Sequence, residues 1–190
     1  MFKSLFLAAL LALSLNSQAF AQEKSSGSSK VTPISVSGDK PVEVTGNLNS
    51  GKQIALDWAE KSSVACFPAT RFDQFRGNHV FYSVTLPASK KIDIKLVPTD
   101  KSKVINLYAL RQGAGKQAVP PNVSSAISSE ARYQIYARKG GKIIKNADDG
   151  IRKIDFISVN NPYNILIGVA GAEGVKEGEY KLSVSIGDRK

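Results

Sequence analysis

Apolar residues recur at every second position through most of this chain, and that period decides what it can fold into. Val80, Tyr82, Val84 and Leu86 alternate with His79, Phe81, Ser83 and Thr85. Ile92, Ile94 and Leu96 alternate with Lys91, Asp93 and Lys95. Tyr133, Ile135 and Ala137 alternate with Arg132, Gln134, Tyr136 and Arg138, and Tyr180, Leu182, Val184 and Ile186 with Lys181, Ser183 and Ser185. A strand sends successive side chains to opposite faces, so each segment has one core face and one wet face. Residues 104–110, relieved only by Asn106, and residues 165–170 are apolar at both parities, which predicts strands covered on both sides. Shorter strands are expected at 34–37, 42–46, 53–57 and 154–159. Single helical turns are expected at 58–64 and 123–131. Gly, Asn, Asp and Pro clusters separate the segments. The pattern predicts an all-β fold of about eight to ten antiparallel strands, a sandwich or a barrel.

The chain opens with Lys3, an apolar run over residues 5–15 broken by Ser14, and Ala19-Phe20-Ala21. A positive start, a short apolar core and a small-x-small site read as a secretory signal peptide over 1–21, too short to span a bilayer. No second long apolar run follows, so no membrane span is expected and the mature chain is placed in the periplasm or outside the cell. Residues 22–30, Gln-Glu-Lys-Ser-Ser-Gly-Ser-Ser-Lys, read as a flexible leader. Residues 31–190 are long enough for a single β-sandwich domain.

The formal net charge is +10, and about +9 once Lys3 is removed. Two readings of that charge stand. A basic exported protein meets anionic partners: an envelope polymer, a polysaccharide or another exported protein. The plainer reading is that the charge keeps the domain soluble. The basic residues are dispersed, with no block of five like charges. That pattern, with no helix-turn-helix and no Cys/His finger, argues against specific nucleic-acid recognition.

Two long connections interrupt the alternation. Residues 58–78 carry Cys66, Phe67, Pro68, Phe72 and Phe75, and residues 111–130 carry Pro120-Pro121. Long connections are often functional. The first, rich in apolar residues, is expected to pack over an open end of the sandwich and to offer a binding surface. Phe81, Tyr108 and Tyr136 have the parity opposite to their aliphatic neighbours. Either they form a stacking platform for a sugar or a base, or they sit beneath the long connections. With Phe72, Phe75 and Cys66 they make the candidate ligand-binding set. Cys66, the one cysteine, is read as a buried thiol, as half of an intermolecular disulfide linking a dimer, or as a reactive site.

Most catalytic chemistry finds no constellation here. His79 is the one histidine; it falls at a polar-face position, and any Ser-His-Asp triad would need it. One Cys and one His do not make a zinc or copper site. Asn146, Asp148 and Asp149 precede Gly150 and are weak calcium candidates, against the ordinary reading of an Asx-Gly turn. Gly113-Ala114-Gly115-Lys116 lacks the spacing of a phosphate loop. Asp57, Asp93, Asp155 and Glu179 fall at polar positions and are expected to be solvated rather than paired for sugar hydrolysis. No enzyme activity and no cofactor is expected.

From His79 to Ile186 the chain resembles the bacterial pre-peptidase C-terminal domains and related secreted jelly-roll sandwiches. The residues that carry this are Val80-Phe81-Tyr82-Ser83-Val84-Thr85-Leu86-Pro87-Ala88, Ile92-Asp93-Ile94-Lys95-Leu96 and Ile105-Asn106-Leu107-Tyr108-Ala109-Leu110. The ending, Tyr163-Asn164-Ile165-Leu166-Ile167-Gly168-Val169 and then Gly178-Glu179-Tyr180-Lys181-Leu182-Ser183-Val184, is similar to that family's closing hairpin. The resemblance implies an antiparallel β-sandwich with jelly-roll character, and carriage, secretion support or binding of polymers and proteins rather than catalysis. The function expected is therefore a non-catalytic exported binding or accessory domain. The alternatives are a structural or adhesive cell-surface protein, and a small hydrolase with a carboxylate site of unfamiliar form.

Overall fold

The computed structural model describes residues 29–38, 40–60, 69–123, 127–130, 136–145 and 148–189. Among them the strands are β1 (Val31–Pro33), β2 (Val42–Asn47), β3 (His79–Leu86), β4 (Lys90–Pro98), β5 (Ile105–Gly113), β6 (Ile127–Glu130), β7 (Tyr136–Lys139), β8 (Lys142–Lys145), β9 (Arg152–Ile157), β10 (Tyr163–Gly171) and β11 (Glu179–Asp188). A five-stranded sheet has the order β1-β3-β10-β5-β6, and a four-stranded sheet the order β2-β11-β4-β9. β7 and β8 form a separate two-stranded hairpin. All pairings are antiparallel except that of β1 with β3. The chain changes sheet at every step from β1 to β5, and again from β9 through β10 to β11. That is the jelly-roll character the resemblance implies, with nine strands in the sandwich and two outside it.

The two sheets face each other across one core. Tyr82, Val84 and Leu86 from β3, Ile105, Leu107 and Ala109 from β5, and Ile165, Ile167 and Val169 from β10 meet Ile92, Ile94 and Leu96 of β4 and Tyr180, Leu182 and Val184 of β11. Burying each of the larger aliphatic side chains contributes about 1.5–3 kcal/mol. The five-stranded sheet is also covered on its outer face. There Phe81, Tyr108, Leu110, Leu166 and Ala170 pack beneath Leu56, Trp58, Ala59, Phe72 and Phe75. The covering elements are helix α1 (Asp57–Glu60) and a 3-10 segment at Ala69–Phe75. β5 and β10 are thus buried on both faces, as their double-sided apolar runs predict.

The first long connection differs from expectation, because its described parts lie over a sheet face rather than an open end. That face carries large apolar groups which need a cover. Residues 53–57 form no strand and lead into α1, and β1 lies at Val31–Pro33 rather than 34–37. Residues 127–130, expected in a helical turn, are strand β6 paired to β5. Among the described residues no helix is long and apolar enough to cross a membrane.

Candidate functional site

Tyr108 stands at the middle of β5, and its Cα partner on β10 is Gly168. A Cβ at position 168 would enter the Tyr108 ring, so the glycine makes room for the ring to lie over its neighbour strand. Around Tyr108 are Trp58 (ring centroids 6.1 Å apart), Phe75 (5.9 Å), His79 (5.7 Å) and Phe81 (6.4 Å). Phe72, Phe75, Phe81 and Tyr108 are all buried. Of the two placements open to Phe81 and Tyr108, the structure has the one beneath the connection. Their faces are spent on one another, so they offer no stacking platform to solvent. Tyr136 lies in β7, which pairs with neither large sheet, while Phe72, Phe75, Phe81 and Tyr108 share one buried cluster. Cys66 lies outside the described residues.

His79, at a polar-face position of the pattern, is 2% exposed and contacts the first long connection. Its parity is that of Phe81, and the connection that covers Phe81 covers it too. Its Nε2 lies 2.7 Å from the Phe75 carbonyl and its Nδ1 2.8 Å from the Tyr108 hydroxyl. A carbonyl only accepts, so Nε2 carries the proton and donates, and Nδ1 accepts from Tyr108. Burial pushes the imidazole down to about 4, against the opposing pull of the Phe75 carbonyl. Burial likewise raises the Tyr108 phenol. A neutral, buried imidazole with both nitrogens engaged has no free nitrogen left for proton transfer.

Of the weak calcium candidates, Asp148 is engaged by the protein itself. Its two oxygens accept a fork of hydrogen bonds from Arg152, Nη1 at 2.8 Å and Nη2 at 2.9 Å, and it also accepts from the Gly150 N–H. Arg152 is 4% exposed and its Nε donates to Asn106 Oδ1 on β5 at 3.2 Å. A carboxylate held by a buried guanidinium is not a free cation ligand. Asp149 accepts from the Ile151 N–H, as an Asx turn does. Asn146 lies outside the described residues, and no group of three or more potential metal ligands occurs among the described ones.

The outward face of the four-stranded sheet carries four lysines, Lys91, Lys95, Lys153 and Lys181, and four carboxylates, Glu43, Asp93, Asp155 and Glu179. Register places Glu43, Ser183, Lys95 and Lys153 in one row across β2, β11, β4 and β9. The next row on one side holds Thr45, Lys181 and Val97, and on the other Ser185, Asp93 and Asp155. Lys95 and Lys153 are direct cross-strand partners, and Lys181 lies on the diagonal from Lys95, about 7–8 Å away at the backbone. All three are exposed. Lys91 takes both neighbouring carboxylates, Asp93 at 2.9 Å and Asp155 at 3.7 Å. Its hydrogen bond to Asp93 holds the ammonium above its usual range. None of Lys95, Lys153 and Lys181 has an ion pair among the described residues. Alternation assigns each of these lysines to a wet face, but their meeting depends on register between strands far apart in sequence. A groove of about 450 Å³ lies elsewhere, lined by Ile34, Val36, Val84, Pro87, Lys90 and Ile186. Its amine, Lys90, is tied to Asp188 at 2.5 Å.

The chain is an all-β sandwich of two antiparallel-dominated sheets. No family model and no curated protein sequence matches it. Several solved structures are similar. One is PliG from Aeromonas hydrophila, a periplasmic lysozyme inhibitor of g-type lysozyme, at 13% identity and a TM-score of 0.41 over 83% of this chain and 96% of that one. A second is the pre-peptidase C-terminal domain of collagenase from Bacillus anthracis, at 12% identity and a TM-score of 0.39 over 84% and 98%. A third is CorA, a surface-associated copper-binding protein of Methylomicrobium album BG8, at 13% identity and a TM-score of 0.41 over 83% and 98%. The family that the sequence resembles is thus represented among these structures.

Proposed function

We propose that this protein is an exported, non-catalytic binding module that holds an anionic envelope polysaccharide on the outward face of its four-stranded sheet. The observation that carries this reading is the direct cross-strand pair Lys95–Lys153, with Lys181 on the diagonal. Like charges directly opposite one another destabilise a sheet, and opposing acids would remove that cost. On the same face Lys91 pairs with both Asp93 and Asp155, while Lys95, Lys153 and Lys181 have no ion pair among the described residues and are open to an external anion. The lysines stand among Thr45, Ser183 and Ser185, whose hydroxyls suit sugar hydroxyls and carboxylates as donors and acceptors. The signal-peptide pattern at 1–21 would deliver the module to the envelope. The buried, fully bonded His79 and the forked Asp148 support a binding rather than a catalytic role.

The test is retention of the exported protein on immobilised polygalacturonate, with neutral dextran as control. Retention on the acidic polymer alone, weakened by salt, is expected. The triple variant Lys95→Gln/Lys153→Gln/Lys181→Gln should lose it, with each lysine worth about two- to fivefold in affinity. Equal retention of the triple variant and the wild type would remove this face as the site.

A further inference from the structure

We propose that the β7–β8 hairpin is a docking element for an anionic lipid bilayer, separate from the polysaccharide face. The hairpin pairs with neither large sheet. Its turn, Gly140-Gly141, has φ of 58° and 77°, the positive pair that a two-residue type I′ turn needs and that glycine adopts without strain. A Cβ built at either glycine would meet nothing within 4 Å, so the tip stands in the open. The ten residues from Tyr136 to Lys145 include Arg138, Lys139, Lys142 and Lys145 and no acidic residue. Lys139 and Lys142 are direct cross-strand partners beside the turn, and Arg138 is the partner of Ile143.

Ile143 is 63% exposed, the most exposed large hydrophobic among the described residues. An isolated hairpin is marginal in water, and opposed lysines weaken it further. These features agree on one kind of partner. A soluble acidic polymer would neutralise the cations and leave Ile143 in water. A bilayer with anionic headgroups offers counter-charge at the surface and apolar depth just beneath it. The proposal commits to that bilayer surface and does not depend on Lys95, Lys153 or Lys181.

The probe is a set of vesicles of phosphatidylglycerol mixed with phosphatidylcholine, against phosphatidylcholine alone, co-sedimented with the exported protein. Binding to the anionic vesicles only is expected. Lys142→Gln should weaken it about fivefold, and Ile143→Ser about tenfold. Neither change should alter retention on polygalacturonate. Ile143→Trp places a reporter at the tip; its emission should move to the blue on anionic vesicles. The proposal is overturned by absence of vesicle binding, by binding that Ile143→Ser leaves unchanged, or by an unshifted Ile143→Trp emission in the vesicle-bound protein. It is also overturned if the hairpin variants lose polysaccharide rather than vesicles.

Discussion

Tyr108 and His79 are where single residues control the molecule. The phenol donates to an imidazole that is neutral, buried and bonded at both nitrogens. In the unfolded chain that imidazole titrates near 6.5, in the folded protein near 4. Between those values the unfolded chain binds a proton that the folded one does not. Stability from this residue is therefore complete above pH about 6.5 and is lost as the pH falls toward 4, by about 3 kcal/mol. Denaturant unfolding across that range should show the slope, and His79→Gln should flatten it; an equal slope in the variant would assign the acid loss to other groups. Gly168 gives a second residue-scale outcome. Gly168→Ala drives a methyl into the Tyr108 ring and should cost about 1–3 kcal/mol in the same measurement. Gly187→Ala, where nothing lies within 4 Å of the added carbon, should be close to neutral.

At the scale of elements, Arg152 joins β9 to β5 by bonding Asn106 while Asp148 neutralises it. Asp148→Ala leaves a guanidinium buried without its counter-charge and should cost about 3–5 kcal/mol. Asp148→Ala/Arg152→Met should recover much of that loss, since no charge is then left inside; a melt in which the double variant is no better than the single one would contradict the pairing. Much of this level was legible beforehand. Strands β3, β4 and β11 fall where the alternation runs, and β5 and β10 are covered on both faces, as their apolar runs require. Asp57, Asp93, Asp155 and Glu179 are exposed, each at a polar position of the pattern. What alternation could not show was the third layer. His79, Phe81 and Tyr108 sit at a parity that reads as wet for a two-layer sandwich. It becomes core only because residues 56–59 and 69–75 fold back over that sheet face. The same limit hid the lysine patch. Lys95, Lys153 and Lys181 belong to three strands whose adjacency is a matter of topology, and a period-two pattern says nothing about which strand lies beside which.

For the whole molecule, the fold leaves one broad sheet face wet. The five-stranded sheet is capped, the two inner faces meet, and the four-stranded sheet turns its lysines, carboxylates, serines and threonines outward. A net charge of +10 sets long-range attraction to anions, and local register decides where that attraction becomes contact. Lys153→Glu separates binding from stability on this face. It replaces a like-charge cross-strand pair with an opposite one, so the fold should gain about 0.2–1 kcal/mol. Affinity for polygalacturonate should fall about tenfold, because a lysine is lost and an acid set beside the ligand. That single variant is to be measured for both unfolding and polymer binding at low salt. A firmer fold with weakened binding is expected; binding equal to that of the wild type would remove this sheet face as the polymer site.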